Sequence, residues 1–163
     1  MVLQEGKGLI QFFQHAHHRV EGYLMDFSEQ LKQDRREAEF IARAAEDLHQ
    51  HMFIEEELLF PMVKEGSAAA VASLEEEHGR ICDLMEELQI LLRREADQSA
   101  IQTCSTRLMG VLAAHNAVED LGIYPDLLIL LGPARASALL AEAERAEVPR
   151  DWACIARRPK ARV

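Results

Sequence analysis

The sequence HMFIEEELLFP occupies residues 51–61 and places His51 four residues before Glu55. The surrounding residues have helical periodicity, and on an α-helix positions i and i+4 lie one above the other on the same face. Both side chains can therefore reach a single metal ion. Alone, this pattern is a weak signal, because ordinary composition often produces it by chance.

A second stretch repeats the pattern. The sequence HNAVEDLGIYP, at residues 115–125, again places a histidine, His115, four residues before a glutamate, Glu119. Both copies continue with an acid at +5, an aromatic residue at +9 and a proline at +10. Two copies with this shared continuation indicate two helices that each bring a histidine and a carboxylate to one site.

Composition indicates an ordinary globular chain rich in helix-forming residues. Of its 163 residues, 48% are hydrophobic and 28% are charged, and the net charge of −10 at pH 7 disfavours nucleic acid as a partner. The sequence shows no N-terminal signal pattern and no run of about 18 apolar residues, so we expect a cytoplasmic protein that does not insert into membranes. The three cysteines have no Cys-x-x-Cys spacing and are expected to be free thiols: Cys82, Cys104 and Cys154.

Apolar residues recur at alternating spacings of three and four in four long segments, as in the amphipathic helices of a bundle. We therefore predict an all-α fold, an antiparallel up-down four-helix bundle over residues 1–133. A short fifth helix and a basic tail, with a mobile end, follow over residues 134–163. The predicted helices span about residues 4–33, 34–64, 68–95, 99–132 and 134–147, with stops at Gly66 and at Gly132-Pro133.

Two further histidines, His17 and His78, lie on the apolar seams of the first and third predicted helices. Short loops make neighbouring helices antiparallel, so that residues equally far from a loop lie at the same height. Counted from the loops, His17, His51, His78 and His115 agree to within about three residues, which is about 4.5 Å of helix rise. We therefore expect the four histidines to lie in one layer of the bundle.

Such a layer would be costly without a counter-charge, because burying each charged or polar group among Leu, Ile and Val costs several kcal/mol. A pair of metal ions removes that cost by neutralising the carboxylates and accepting the imidazole lone pairs. Asp120 is an alternative to Glu119, and Glu56 is the corresponding alternative to Glu55. The predicted ligands are His17, His51, Glu55, His78, His115 and Glu119. Of the other histidines, His15 and His49 are expected to face away from the layer, and His18 is expected at a helix–helix boundary.

The donor set also restricts the metal. Imidazole and carboxylate without thiolate suit iron, manganese or zinc, and six side chains suit a pair of six-coordinate ions better than one tetrahedral ion. Four imidazoles, two bridging carboxylates and a bridging oxo or hydroxo group leave about two positions for an exogenous ligand. We therefore predict two non-haem iron ions, ahead of manganese or zinc, and O2, another small diatomic molecule or peroxide as the ligand.

The sequence resembles the hemerythrin-like HHE cation-binding domains over about residues 8–130. The resemblance rests on His17, on His78, and on the two His-x-x-x-Glu stretches that are followed by Leu-Phe-Pro and Ile-Tyr-Pro. It implies an up-down four-helix bundle with a non-haem di-iron centre that binds O2, or reacts with O2, peroxide or nitric oxide.

The resemblance has one departure. Oxygen-carrying hemerythrins have a histidine one turn before the third-helix ligand, where this chain has Leu74, and their last acid stands where this chain has Asp120. The missing histidine leaves an extra open position on the metal. We therefore weigh three functions. The first is O2 binding for sensing, storage or detoxification. The second is an enzyme that turns over peroxide or nitric oxide, or a protein that donates iron for iron–sulfur repair. The third is an interaction module that responds to iron or to redox state.

Overall fold

All regular structure in the described part of the chain is helical. The computed structural model describes the backbone of residues 2–160 and the side chains of residues 7–160, and no β-strand occurs among them. The prediction of an all-α fold is therefore confirmed. The five α-helices are α1 (Val2–Lys32), α2 (Ala38–Ile54), α3 (Phe60–Arg93), α4 (Gln98–Val118) and α5 (Leu127–Ala143). The shorter elements are π-helical turns at Glu55–Leu59 and Glu119–Ile123, and 3-10 turns at Tyr124–Asp126 and Ile155–Arg157.

Two backbone breaks divide these helices where the sequence predicted stops. In α3, Ser67 has φ −143° and ψ 33°, one residue after Gly66. In α5, Gly132 has φ 72° and ψ 164°, a left-handed conformation that glycine adopts without steric cost. Because His78 lies beside residues of α2 and its π turn, the chain folds back at the Ser67 break.

The apolar core consists of two clusters with a polar layer between them. Along α1, Leu9 and Phe13 belong to one cluster, and Val20 and Leu24 belong to the other. The buried His17 lies between the two groups, so each apolar cluster covers one side of the polar layer. At the start of this face Leu9 is fully buried, whereas the neighbouring Ile10 is only half-buried.

The C-terminal segment packs across the bundle. Helix α5 lies against α1, where a Cβ added at Gly8 would be 3.2 Å from Leu140 Cδ2. The following strap, which we define as residues 152–158, runs over α3 and the first π turn. The basic tail predicted from the sequence begins within this strap, and its first two arginines, Arg157 and Arg158, form ion pairs with acidic side chains of α3 and the π turn. Residues 161–163 of that tail lie outside the described residues.

The helical stretch Gln98–Ala143 is long and apolar enough to cross a membrane by length and composition alone, with a mean hydropathy of 1.3 over 18 residues. One such stretch is a weak indication. It is interrupted by the second π turn and by Gly132, and it carries buried polar residues.

Candidate metal centre

The six predicted side chains meet in one buried layer. None is more than 5% exposed, and both glutamates are 0% exposed. Each helical segment of the bundle contributes, because α1, α2, α3 and α4 each supply one histidine and each π turn supplies one glutamate. The six are His17, His51, Glu55, His78, His115 and Glu119.

The donor atoms form two groups that share both carboxylates. One group contains His17 and His51 with the two glutamates, and the other contains His78 and His115 with the same two glutamates. Within each group, one donor atom from every residue lies within 4.8 Å of the others. Two histidines on each side of two shared carboxylates form an arrangement compatible with two neighbouring metal ions.

Each glutamate of the layer begins a π-helical turn, which the helical pattern did not predict. The N–H of Phe60 bonds to the carbonyl of Glu55, and the N–H of Tyr124 bonds to the carbonyl of Glu119, five residues back in both cases. The prolines that follow, Pro61 and Pro125, supply a physical reason. A proline ring inside a helix clashes with the carbonyl four residues earlier, and a widened turn relieves that clash.

The two His-x-x-x-Glu pairs have matching geometry. His51 Nε2 lies 3.3 Å from Glu55 Oε2, and His115 Nε2 lies 3.2 Å from Glu119 Oε1. Across the layer, His78 Nε2 lies 3.3 Å from Glu55 Oε2. The repeated sequence pattern therefore produces a repeated local structure, with every one of these nitrogens directed at a carboxylate oxygen.

Several of these inward-facing atoms lack hydrogen-bond partners among the described residues. They include one oxygen of each glutamate, Glu55 Oε2 and Glu119 Oε1, and the Nε2 atoms of His78 and His115. An unpaired buried polar atom is costly, and a buried carboxylate costs more. Lone pairs that converge on one space are the donors that a cation needs, so the residues present fit a metal pair.

Burial and neighbouring charge move the histidine pKa values in opposite directions. Burial is the main reason that the pKa of His51 is lowered to about 3. Burial also lowers the pKa of His78, but the neighbouring carboxylates of Glu55 and Glu56 outweigh it and raise that pKa to about 10. Burial raises the pKa of Glu119, but the charge of His115 and the hydrogen bond to His17 lower it well below its ordinary value. In the metal-free protein, the layer therefore holds a protonated His78 beside ionised carboxylate.

This charge state predicts a pH-dependent metal affinity. A metal ion needs a neutral imidazole, so binding below the His78 pKa of about 10 must release a proton. We expect zinc affinity to rise with pH, by about tenfold per pH unit for each proton released, between about pH 6 and about pH 9. Calorimetric titrations in buffers of different ionisation enthalpy measure both the affinity and the proton release. An affinity independent of pH would contradict this charge assignment.

Outer carboxylates orient three of the four imidazoles. His78 Nδ1 lies 2.7 Å from Glu56 Oε1, and His115 Nδ1 lies 2.8 Å from Glu77 Oε2. When Nδ1–H donates to such a carboxylate, Nε2 is the nitrogen left with a lone pair for a metal. Each of these two glutamates belongs to a run of three, yet Glu56 is 3% exposed and Glu77 is half-buried.

The structure gives Glu119 and Asp120 different places. Glu119 lies within the layer, whereas Asp120 lies on the outer side of His17, with its Oδ2 at 3.4 Å from His17 Nδ1. Asp120 therefore has the same relation to His17 as Glu56 has to His78. At each π turn, the glutamate that begins the turn therefore lies inside the layer, and the acid that follows it lies outside the layer, next to a histidine.

Replacing Glu77 tests the outer carboxylates without disturbing the layer itself. We expect Glu77→Gln to weaken metal binding by about 10-fold to about 100-fold, because the amide no longer anchors the N–H of His115 as an anion. The matched control is Glu76→Gln, since Glu76 is exposed and should bind metal as the parent chain does. Competition titration against a chromophoric chelator measures both, and equal affinities for the two variants would contradict the orienting role.

Tyr124 is a buried site residue that sequence reasoning missed. Its hydroxyl donates to Glu55 Oε1 at 2.5 Å and lies 3.2 Å from His17 Nε2. Burial and the nearby carboxylates raise the pKa of this phenol above its ordinary value. The sequence feature that could have indicated Tyr124 is the aromatic residue at +9, which both His-x-x-x-Glu repeats contain. In the other repeat, Phe60 stacks on His78 with ring centroids 5.7 Å apart, so only one side of the layer receives a hydroxyl.

The remaining sequence expectations concern residues outside the layer. The three remaining histidines are exposed, including His18, which was expected at a helix–helix boundary, and His49 packs against Trp152 with ring centroids 5.0 Å apart. Leu74, at the position of the additional histidine of oxygen carriers, is 0% exposed and belongs to an apolar cluster. The described site therefore has an apolar group where a further imidazole would stand. The three histidines are His15, His18 and His49.

Comparison with known proteins gives one family. The family model described as Hemerythrin HHE cation binding domain matches residues 8–127, which include all six residues of the layer. No curated protein matches the sequence significantly.

Proposed function

The chain belongs to the hemerythrin HHE cation-binding domain family, and we propose that it is a non-haem di-iron protein that binds O2 or a related small molecule. The observation that carries the proposal is the sharing of Glu55 and Glu119 between two pairs of histidines. Two carboxylates common to two groups of donors favour a pair of ions over a single ion.

We also propose that the helices form the up-down four-helix bundle typical of such sites. The breaks at Ser67 and Gly132 support it, because they divide the chain at the ends of the second and fourth predicted helices. One histidine then comes from each of the four bundle helices, which is how bundle proteins build metal sites from facing side chains.

The donor chemistry supports iron. Each side of the layer offers two imidazole nitrogens and oxygens of two carboxylates, and it includes no thiolate among the described residues. This set suits iron, manganese or zinc, and at six-coordinate ions it leaves positions open for a further ligand. An iron pair, when bound there, supplies sites and electrons for O2, peroxide or nitric oxide.

Aromatic side chains make the surroundings of the layer largely apolar. Phe13 stacks on Tyr124 with ring centroids 5.2 Å apart and contacts the edge of His51, and Phe60 covers the face of His78. These rings are buried beside the layer, and the Tyr124 hydroxyl is a polar group among them. Such a wall favours a small uncharged ligand over a large or charged one.

The proposal is tested by loading the protein with ferrous iron without oxygen and then admitting air. We expect about two iron ions per chain, as suits two groups of donors, and a visible absorption band that appears only after oxygen is added. Binding of zinc but not ferrous iron would overturn the iron assignment. Iron binding without any optical response to O2, peroxide or nitric oxide would overturn the ligand assignment.

Turnover of peroxide or nitric oxide is the second candidate, and two observations favour it. Leu74 supplies no donor where oxygen carriers have a histidine, and the Tyr124 hydroxyl lies within the layer. Steady-state consumption of peroxide or nitric oxide by the iron-loaded protein would support this candidate. Binding of one equivalent without further consumption would exclude it.

A further inference from the structure

Two cysteines far apart in sequence meet outside the metal layer. The Cys82 thiol of α3 neighbours the Cys154 thiol of the C-terminal strap, so that each shifts the pKa of the other, and it donates to Met52 Sδ at 3.6 Å. Cys154 is 2% exposed and Cys82 is half-buried, so both sulfurs lie largely within the protein. The third cysteine, Cys104, is separate, because its thiol donates to the carbonyl of Leu84 in the helical core. Sequence spacing gave no sign of this pairing.

Contacts on α3 hold the strap in a fixed position around Cys154. A Cβ added at Gly79 would lie 2.7 Å from Ala156 Cβ, so only glycine permits so close an approach. Three residues beyond Cys154, the Arg157 guanidinium reaches Asp83 at 3.3 Å. Because Gly79 and Asp83 lie on either side of Cys82 along α3, these contacts place the strap that carries Cys154 against the stretch of α3 that carries Cys82.

A further hydrogen bond connects the strap to the metal layer. The backbone N–H of Ile155 donates to Glu56 Oε2 at 2.8 Å, while the other oxygen of Glu56 lies 2.7 Å from His78 Nδ1. The residue next to Cys154 therefore helps to position the carboxylate that orients one of the site histidines.

The environment of the two thiols differs in a way that suits a nucleophile and a resolving partner. The neighbouring Cys82 thiol lowers the pKa of Cys154 to about 7, although burial raises it. The same interaction, with burial, raises the pKa of Cys82 above its ordinary value. The thiolate is the reactive form of cysteine, so Cys154 is the first to react near neutral pH.

We propose that Cys82 and Cys154 form a reversible disulfide when the protein meets peroxide, and that this bond ties the strap to α3. The Cys154 sulfur attacks one peroxide oxygen, the O–O bond breaks, and a sulfenic acid and one water result. The Cys82 sulfur then attacks the Cys154 sulfur and displaces the sulfenic oxygen as a second water. In total, the two thiols lose two hydrogen atoms and are oxidised, and one hydrogen peroxide is reduced to two waters.

The bond would act on the layer through the strap. With Cys154 fixed to α3, the neighbouring Ile155 N–H stays on Glu56, and the strap cannot lift from the outer side of His78. We therefore expect the Ile155 amide to exchange its hydrogen more slowly in the oxidised protein than in the reduced protein.

The test uses the full metal-free chain with a chelator present and one equivalent of hydrogen peroxide. We expect a mass loss of about 2 Da, a peptide linked between Cys82 and Cys154, and recovery of both thiols with a reductant. The matched control Cys104→Ser should behave in the same way. Because metal is excluded, this result does not depend on the proposed di-iron function.

Two variants decide the assignment. Cys82→Ser should form no intramolecular disulfide and should accumulate a sulfenic acid on Cys154 that a dimedone probe captures. Cys154→Ser should show neither product. The proposal is overturned if Cys104 appears in the linked peptide, if Cys82→Ser retains the mass loss, or if the parent chain proceeds directly to sulfinic acid. Helical circular dichroism of each variant establishes that a negative result does not come from unfolding.

Discussion

Glu119→Ala should abolish loading of the metal pair while the helical bundle remains folded. Glu119 is 0% exposed and belongs to both groups of donors, so its loss removes a carboxylate from both positions at once. Losing an outer carboxylate weakens metal binding by about 10-fold to about 100-fold, so losing a carboxylate of the layer itself should weaken it by at least about a hundredfold. Metal content after dialysis, measured by elemental analysis, gives the number of ions per chain.

Asp120→Ala is the informative companion, because the neighbouring acid lies on the outer side of His17. Its oxygen is 3.4 Å from His17 Nδ1 and its side chain is partly exposed, so the contact is a weak one. We expect this variant to keep both ions and to lose at most about tenfold in affinity. If Asp120→Ala lost the metal pair and Glu119→Ala retained it, the inner and outer roles would be reversed.

Metal removal should produce the second large effect, a fall in thermal stability. The layer buries four histidines and two glutamates, and several of their inward atoms lack hydrogen bonds in the described chain. At about a thousand times its dissociation constant, a metal ion stabilises the folded state by about 4 kcal/mol. For a chain of this size, two ions should raise the unfolding midpoint by about 15 °C or more. Differential scanning calorimetry with and without a chelator measures the difference.

Two variants serve as controls for this experiment, one inside the layer and one outside it. Glu119→Ala should unfold at nearly the same temperature with and without metal, because it has lost the stabilising ligand. Glu76→Ala changes an exposed acid and should keep the full metal-dependent shift. A parent chain whose midpoint does not respond to the chelator would show that the layer is stable without ions.

The six residues of the layer could be predicted because two sequence patterns coincide: histidines recur on the apolar seams of the helices, and two of these histidines have a glutamate four residues later. Histidines on apolar seams mark the buried face of each helix, and the distances to the loops place them at one height. The i, i+4 spacing of His51 and Glu55 then puts one carboxylate beside one imidazole. Both patterns follow from helix geometry alone, so these residues can be predicted without knowledge of tertiary contacts.

The π turns and the outer carboxylates could not be obtained in the same way. A π turn shifts the hydrogen-bond ladder by one residue, and a pattern that assumes 3.6 residues per turn does not contain it. Glu77 meets His115 across two helices, and an acidic run gives no sign of which of its members is turned inward. The Pro61 and Pro125 positions were visible, but their effect on the preceding carbonyls depends on the local backbone.

The thiol pair illustrates the limit for contacts between distant segments. Cys154 lies in a strap without helical periodicity, so nothing in the sequence fixes where that strap crosses the bundle. Its position depends on the close approach at Gly79 and on the ion pairs of Arg157. Such contacts involve single residues on either side, and periodicity does not predict them.

The central claim is that two metal ions lie between two shared carboxylates in one layer of the bundle. Anomalous X-ray diffraction at the iron absorption edge, from crystals of the iron-loaded protein, tests it most directly. The account predicts two anomalous peaks in contact with both Glu55 and Glu119, one beside His17 and His51 and the other beside His78 and His115. A single peak, or peaks located away from these six side chains, would contradict it.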